Sequence, residues 1–212
     1  MKPYLLPAAI FILLVLHAVG IWGLLFSGQT ESFQRLTPFN LIVSNILLFA
    51  FHRDWRPCFI IFVLVCAFFG FFAEVAGIHT GLIFGEYSYG ESLGYKVLDV
   101  PLLIGLNWLM LVYATGSLFS LARVPLPLRV LGAALLMVAL DMLIEPVAIQ
   151  FDFWSWNGND IPVSNFIGWF GVALVLQVLF QLMPFGKQNN LAPWLLIIQT
   201  LFFLLLNIGI IA

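Results

Sequence analysis

Three carboxyls stand well inside long hydrophobic runs. Glu74, Asp141 and Glu145 each interrupt such a run, and Asp141 and Glu145 are four residues apart, so they share one helix face, one turn from each other. An acid in an apolar pocket favours its neutral form. Two carboxylates about 5 Å apart also repel by roughly 3 kcal/mol at an effective dielectric near 20, which keeps one of them protonated. A neutral carboxylic acid can deliver a proton. Delivered to an alkene, that proton makes a carbocation, which the negative faces of aromatic rings stabilise. A second carboxylate can then orient water onto the cation or take a proton up. Aromatic pairs follow two of the acids: Tyr87 and Tyr89 come after Glu74, and Trp154 and Trp156 after Glu145.

The elements that must position these groups are membrane spans. The chain has 212 residues, 63% hydrophobic and only 8% charged, against about 25% charged in soluble domains. With a net charge of −2 and eight Lys+Arg there is no basic footprint for nucleic acid. Apolar runs at 4–26, 38–51, 57–78, 100–121, 128–150, 162–183 and 192–211 predict an all-α polytopic membrane bundle of about seven helices, the second of them short for about 30 Å of hydrocarbon. The chain reads as one transmembrane domain over 1–212, its first span a signal anchor rather than a cleaved signal peptide. Lys2, Arg53, Arg56, Arg123, Arg129 and Lys187 lie at one set of helix ends, against Arg35 and Lys96 at the other. The positive-inside rule then places the N-terminus in the cytoplasm, in the cell membrane, with loops 79–99 and 151–161 facing outward. Cys58 and Cys66, about 12 Å apart along one helix, cannot form a disulfide.

Counted from the inner helix ends at about 1.5 Å per residue, Glu74, Asp141 and Glu145 lie about 25, 18 and 24 Å deep, in the outer half. His17, Asn45, Asn107, Asn165 and Asn207 fall at about 20 to 25 Å by the same count. Intramembrane ionisable groups are costly and usually face a bundle interior. The plain alternatives are that His17, Asn45 and Asn207 join helices and that Tyr87, Tyr89, Trp154 and Trp156 are interface anchors. Gln177, Gln181 and Gln199 read as packing or interface residues of the inner half. A loose parallel repeat also shows: an acid near the outer end of a helix, an aromatic loop, a proline (Pro101, Pro162), then Asn and Trp, as Asn107 with Trp108 and Asn165 with Trp169.

Nucleotide, serine-hydrolase and zincin motifs are absent. The histidines, His17, His52 and His79, are spread over different helix ends and depths and cannot share one metal. Glu74 with His79 is the one pair worth testing for an ion, and it needs a helix break near Gly77. A retinal protein would need a Schiff-base lysine that the last span lacks.

The ordered motifs E-x-x-G-x-x-T-G-x-x-F-G-x-Y-x-Y at 74–89, V-P at 100–101 with Trp108, D-x-x-I-E-P-x-A at 141–148, W-x-W at 154–156 and P-x-x-N-x-x-x-W at 162–169 resemble the integral-membrane carotenoid hydratases. These include the carotenoid 1,2-hydratase and bisanhydrobacterioruberin hydratase type, also described as carotenoid biosynthesis proteins. The resemblance covers about residues 70–170. It implies addition of water to the terminal C1–C2 double bond of an acyclic carotenoid end, giving a tertiary alcohol without a redox cofactor; since ligand spacings are absent and hydration is redox-neutral, no metal, haem or nucleotide is expected. It also implies a carotenoid as substrate, surrounding lipid, and association with other carotenoid enzymes.

Carried onto the matched motifs, Glu74, Asp141 and Glu145 are the candidate acids. His79, Tyr87, Tyr89, Asn107, Trp108, Trp154, Trp156, Asn165 and Trp169 are candidates for holding water or substrate. Asp141, the deepest acid, is expected to donate the proton, with Glu74 and Glu145 holding the attacking water; all three are expected on one cavity. A long polyene is expected to enter from the membrane and lie in an apolar groove lined by Phe and Trp, with only its end near the acids. The same acids also suit a carotenoid end-group cyclase, or a proton-coupled transporter or carotenoid-binding protein.

Overall fold

The structure, a computed structural model, describes residues 4–158 and 160–211. Lys2, one of the cations used to orient the chain, and residue 159 of the 151–161 loop lie outside them. Helices α1 (Leu5–Leu25), α2 (Thr30–Gln34), α3 (Thr37–Ala50), α4 (Pro57–Thr80), α5 (Leu103–Ser120), α6 (Leu126–Gln150), α7 (Val163–Leu182) and α8 (Ala192–Ile211) are joined at one end by four short strands. The strands are β1 (Tyr87–Tyr89), β2 (Lys96–Val97), β3 (Val100–Pro101) and β4 (Trp154–Trp156). The predicted all-α membrane bundle is therefore the fold. Among the described residues, six helices are long and apolar enough to cross a membrane. The expected span 38–51 forms α3, whose 14 residues reach only about 21 Å.

Proline sets several helix starts, where its missing N–H costs nothing: Pro38 in α3, Pro57 in α4 and Pro127 in α6 lie in the first two positions. Helix α4 stops at Gly81, whose φ of +66° lets its N–H turn back onto the Gly77 carbonyl at 2.8 Å. Helix α5 is the hub. It packs against α3, α4, α6, α7 and α8, and every residue from Trp108 to Ser117 is buried, as suits a helix apolar on all sides. Gly70 brings α4 close to this hub: a Cβ there would fall 2.5 Å from the Trp108 Cβ. The outer faces of the other helices expose Phe11, Phe68 and Ile167.

At the strand-bearing end, β1 pairs antiparallel with β4, Tyr87 opposite Trp156 and Tyr89 opposite Trp154. Alternate residues of a strand share a face, so all four rings lie on one side of this small ladder, and their tips turn toward the helices. At the opposite end, which carries most of the arginines, loops 51–57 and 183–191 are tied together. Buried His52 stacks on Phe59 at 3.5 Å. Its Nε2 donates to the Asp54 carbonyl and its Nδ1 accepts from the Tyr113 hydroxyl, each at 2.8 Å. Asn189 Nδ2 adds bonds to the Leu48 carbonyl and the Tyr113 hydroxyl. The Asp54 carboxylate is held by Arg56 and by the Gly186 N–H at 2.6 Å.

Candidate active site

Each of two helices delivers a glutamate that is capped by the aromatic strand following it. Glu74 on α4 is 4% exposed; its Oε1 accepts the Trp108 indole N–H at 2.9 Å, and its Oε2 accepts the Tyr89 hydroxyl at 2.9 Å together with the Tyr87 hydroxyl. Glu145 on α6 is 1% exposed; its Oε2 accepts the indole N–H groups of Trp154 at 3.0 Å and Trp156 at 2.8 Å, and its Oε1 accepts Asn165 Nδ2 at 3.0 Å. The same Asn165 nitrogen reaches Asp141 Oδ2 at 2.9 Å. Asp141 is fully buried, and its Oδ1 has no hydrogen-bond partner. Across the cluster, the Trp108 and Trp169 rings stack at 4.2 Å. Burial, with Glu74 beside them, holds the Tyr87 and Tyr89 phenols well above their ordinary range, so both remain O–H groups.

Between these side chains lies a cavity of about 20 Å³ bounded by Glu74, Glu145, Asn107, Asn165 and the rings of Tyr87, Tyr89, Trp108, Trp154, Trp156 and Trp169. That is room for one water. Asn107, Ile104 and Trp154 also line a second, far larger space of about 340 Å³. It is an apolar groove between α1, α3, α5, α6 and α8, walled by residues such as Leu16, Leu111, Ile144, Phe153, Phe202 and Phe203. A one-water chamber bordered by two carboxyls thus shares part of its wall with a large apolar groove.

Ten of the twelve residues singled out from the sequence border the small cavity. Asp141 does not; it sits behind Asn165, one helical turn below Glu145, so Asn165 links it to the cluster without opening it to the chamber. His79 is not brought in either. Helix α4 runs unbroken past Gly77 to Thr80, which leaves His79 half exposed, 3.9 Å from Asp99 Oδ2 and turned away from Glu74's partners.

The groove's far wall was not foreseen. His17, read as a helix-joining group, donates from Nδ1 to its own helix at the Leu13 carbonyl and meets Phe202 edge-on at 5.2 Å, lining the groove. Gln199 lines it too, with its Oε1 unpartnered. Asn207 does join helices, donating to the Leu143 carbonyl of α6 at 2.8 Å.

A membrane helix bundle with buried carboxyls, an aromatic cap and an adjoining apolar groove is the class of protein that these features define. The sequence profile of the carotenoid biosynthesis protein family matches residues 36–212, and the chain belongs to that family. Bisanhydrobacterioruberin hydratase from Haloarcula japonica is 28% identical to it over 115 residues, a match that covers 50% of this chain and 39% of that protein. The chain thus spans about two fifths of the relative's length. No solved structure matches.

Proposed function

We propose that the protein is a carotenoid hydratase that adds water to the terminal C1–C2 double bond of an acyclic carotenoid end and yields a tertiary alcohol. The observation that carries this reading is that the two spaces adjoin. A chamber with room for one water, bounded by two carboxyls, is separated from an apolar groove only by side chains that line both, Asn107, Ile104 and Trp154. A rod-like polyene lies along the groove and presents only its end to the acids, the division of labour expected where an apolar ligand is oriented by a few polar groups.

Protonation of the alkene end leaves a tertiary cation against the faces of Trp108, Trp169 and Trp154, which stabilise it. Water held at a carboxylate then forms the new C–O bond. The relative's name supports hydration as the outcome, and the family supports carotenoids as the substrate class. By the positive-inside rule the strand-bearing end faces outward, so the chamber lies in the outer half of the cell membrane and the substrate comes from the lipid.

The test is to express the chain in a lycopene-producing host and weigh the pigments. Hydration gives products heavier than lycopene by one or two waters. Ring-bearing isomers of unchanged mass would assign the cyclase reaction instead, and unaltered lycopene would leave only binding or transport.

A further inference from the structure

Glu74 and Glu145 occupy matching places in the two halves of the bundle, yet their donors differ in kind. Around Glu145 every donor is an N–H: the indoles of Trp154 and Trp156 and the amide of Asn165. None of these nitrogens can accept a hydrogen bond. A proton placed on Glu145 Oε2 would meet two N–H groups and no acceptor. Around Glu74, two of the three donors are the hydroxyls of Tyr87 and Tyr89, both on Oε2. A hydroxyl accepts as well as donates. A proton on that oxygen therefore has two phenol oxygens to bond to, and both phenols keep their own protons. The halves also differ one turn earlier: Asp141 precedes Glu145, whereas Gly70, under Trp108, precedes Glu74.

We propose that Glu74 is the proton donor and that Glu145, anionic at rest, holds the attacking water, with Asp141 acting through Asn165 as a positioning residue. This rests on the hydratase reading and replaces the expectation, drawn from depth alone, that Asp141 donates. In the step, the Glu74 O–H bond breaks and its proton joins C2 through the alkene's π pair, leaving the cation at C1. The water oxygen forms the C1–O bond and its surplus proton passes to Glu145. Because Glu145 and Glu74 border the same cavity, the next water carries that proton back to Glu74. Each turnover consumes one alkene and one water and leaves both carboxyls as they began.

The experiment follows protonation and hydration separately. Membranes carrying the wild-type chain, Glu74→Gln, Glu145→Gln or Asp141→Asn are given an acyclic carotenoid in heavy water, and both the hydrated product and the recovered substrate are weighed. Glu145→Gln is expected to lose hydration about 100-fold or more while its recovered substrate gains deuterium, because protonation still occurs and reverses. Glu74→Gln is expected to show neither.

Deuterium entering the substrate with Glu74→Gln, or failing to enter it with Glu145→Gln, overturns the assignment while the hydratase reading stands. A wild-type chain that yields no hydrated product defeats that reading itself. Two milder variants guard against misfolding: Tyr87→Phe should lower exchange and hydration together, about tenfold, and Trp154→Phe should lower hydration alone. The reverse pattern in this pair also overturns the proposal.

Discussion

The two ends of the bundle hold their polar groups in different ways. At the arginine-bearing end a network ties loops 51–57 and 183–191 to α3 and α5: both nitrogens of His52, the Tyr113 hydroxyl, the Asn189 amide and the Asp54 carboxylate all find partners. At the strand-bearing end it stays open. Asp141 Oδ1 has no partner, and Asn107 borders both cavities without a hydrogen bond among the described residues. Leaving a buried polar group unpaired costs about 1–3 kcal/mol. The contrast is therefore between a loop clamp whose own members are all paired and a carboxyl cluster that keeps an unpaired oxygen close to a cavity.

The sharpest way to break this contrast is Glu74→Gln. It should cut hydration by about 10²- to 10⁴-fold while the thermal midpoint of the detergent-solubilised protein moves little, because the amide keeps the shape and much of the bonding. A large fall in melting temperature would make Glu74 a structural group. Next is Tyr113→Phe at the other end, which should cost about 1–3 kcal/mol of stability by leaving the buried His52 Nδ1 without its donor. Turnover per folded molecule should be unchanged; a loss of turnover would join the two ends functionally.

Asn107→Leu should lower hydration about tenfold, or about 1.4 kcal/mol, without destabilising the fold, since no internal bond is lost. Melting curves and turnover on the same sample decide it. The smallest effect concerns Asp54, held at about 2, below its ordinary 3.8, by the Arg56 hydrogen bonds and the Gly186 N–H. A lowered carboxyl stabilises the fold above its ordinary value and loses that contribution as pH falls toward the lowered one. The loop clamp should therefore be intact above about pH 4 and weaken between about pH 4 and 2. Asp54→Asn should flatten that part of the stability profile and leave the rest as it is.

Much of this was legible in the sequence. Charge is so costly in hydrocarbon that Glu74, Asp141 and Glu145 announced themselves, and helical rise placed them in one layer. The Tyr-x-Tyr and Trp-x-Trp spacings put each ring pair on one face, although only the β1·β4 pairing shows that they cap carboxylates rather than anchor in the interface. Three things were hidden. Asp141 and Glu145 share a helix face, yet a turn of α6 is enough for Asn165 to shut one of them off from the cavity. His79 was drawn toward Glu74 by nearness in sequence, which an unbroken α4 defeats. The walls of the expected groove were not legible: on α1 and α8 the polar residues that line it, His17 and Gln199, read equally as helix-joining or packing groups and so did not mark the face that turns inward.

The order in which bonds can form along the growing chain follows from where the caps lie. Glu74 is met by tyrosines 13 and 15 residues downstream, and Glu145 by tryptophans 9 and 11 residues downstream. Loops that short close in well under a microsecond once the segment is free, whereas Ser88 and Ser155 of the paired strands are 67 residues apart. Each carboxyl is thus served by donors close to it in the chain, and can be hydrogen-bonded without the other half. The chamber that the two acids share exists only once both halves have docked.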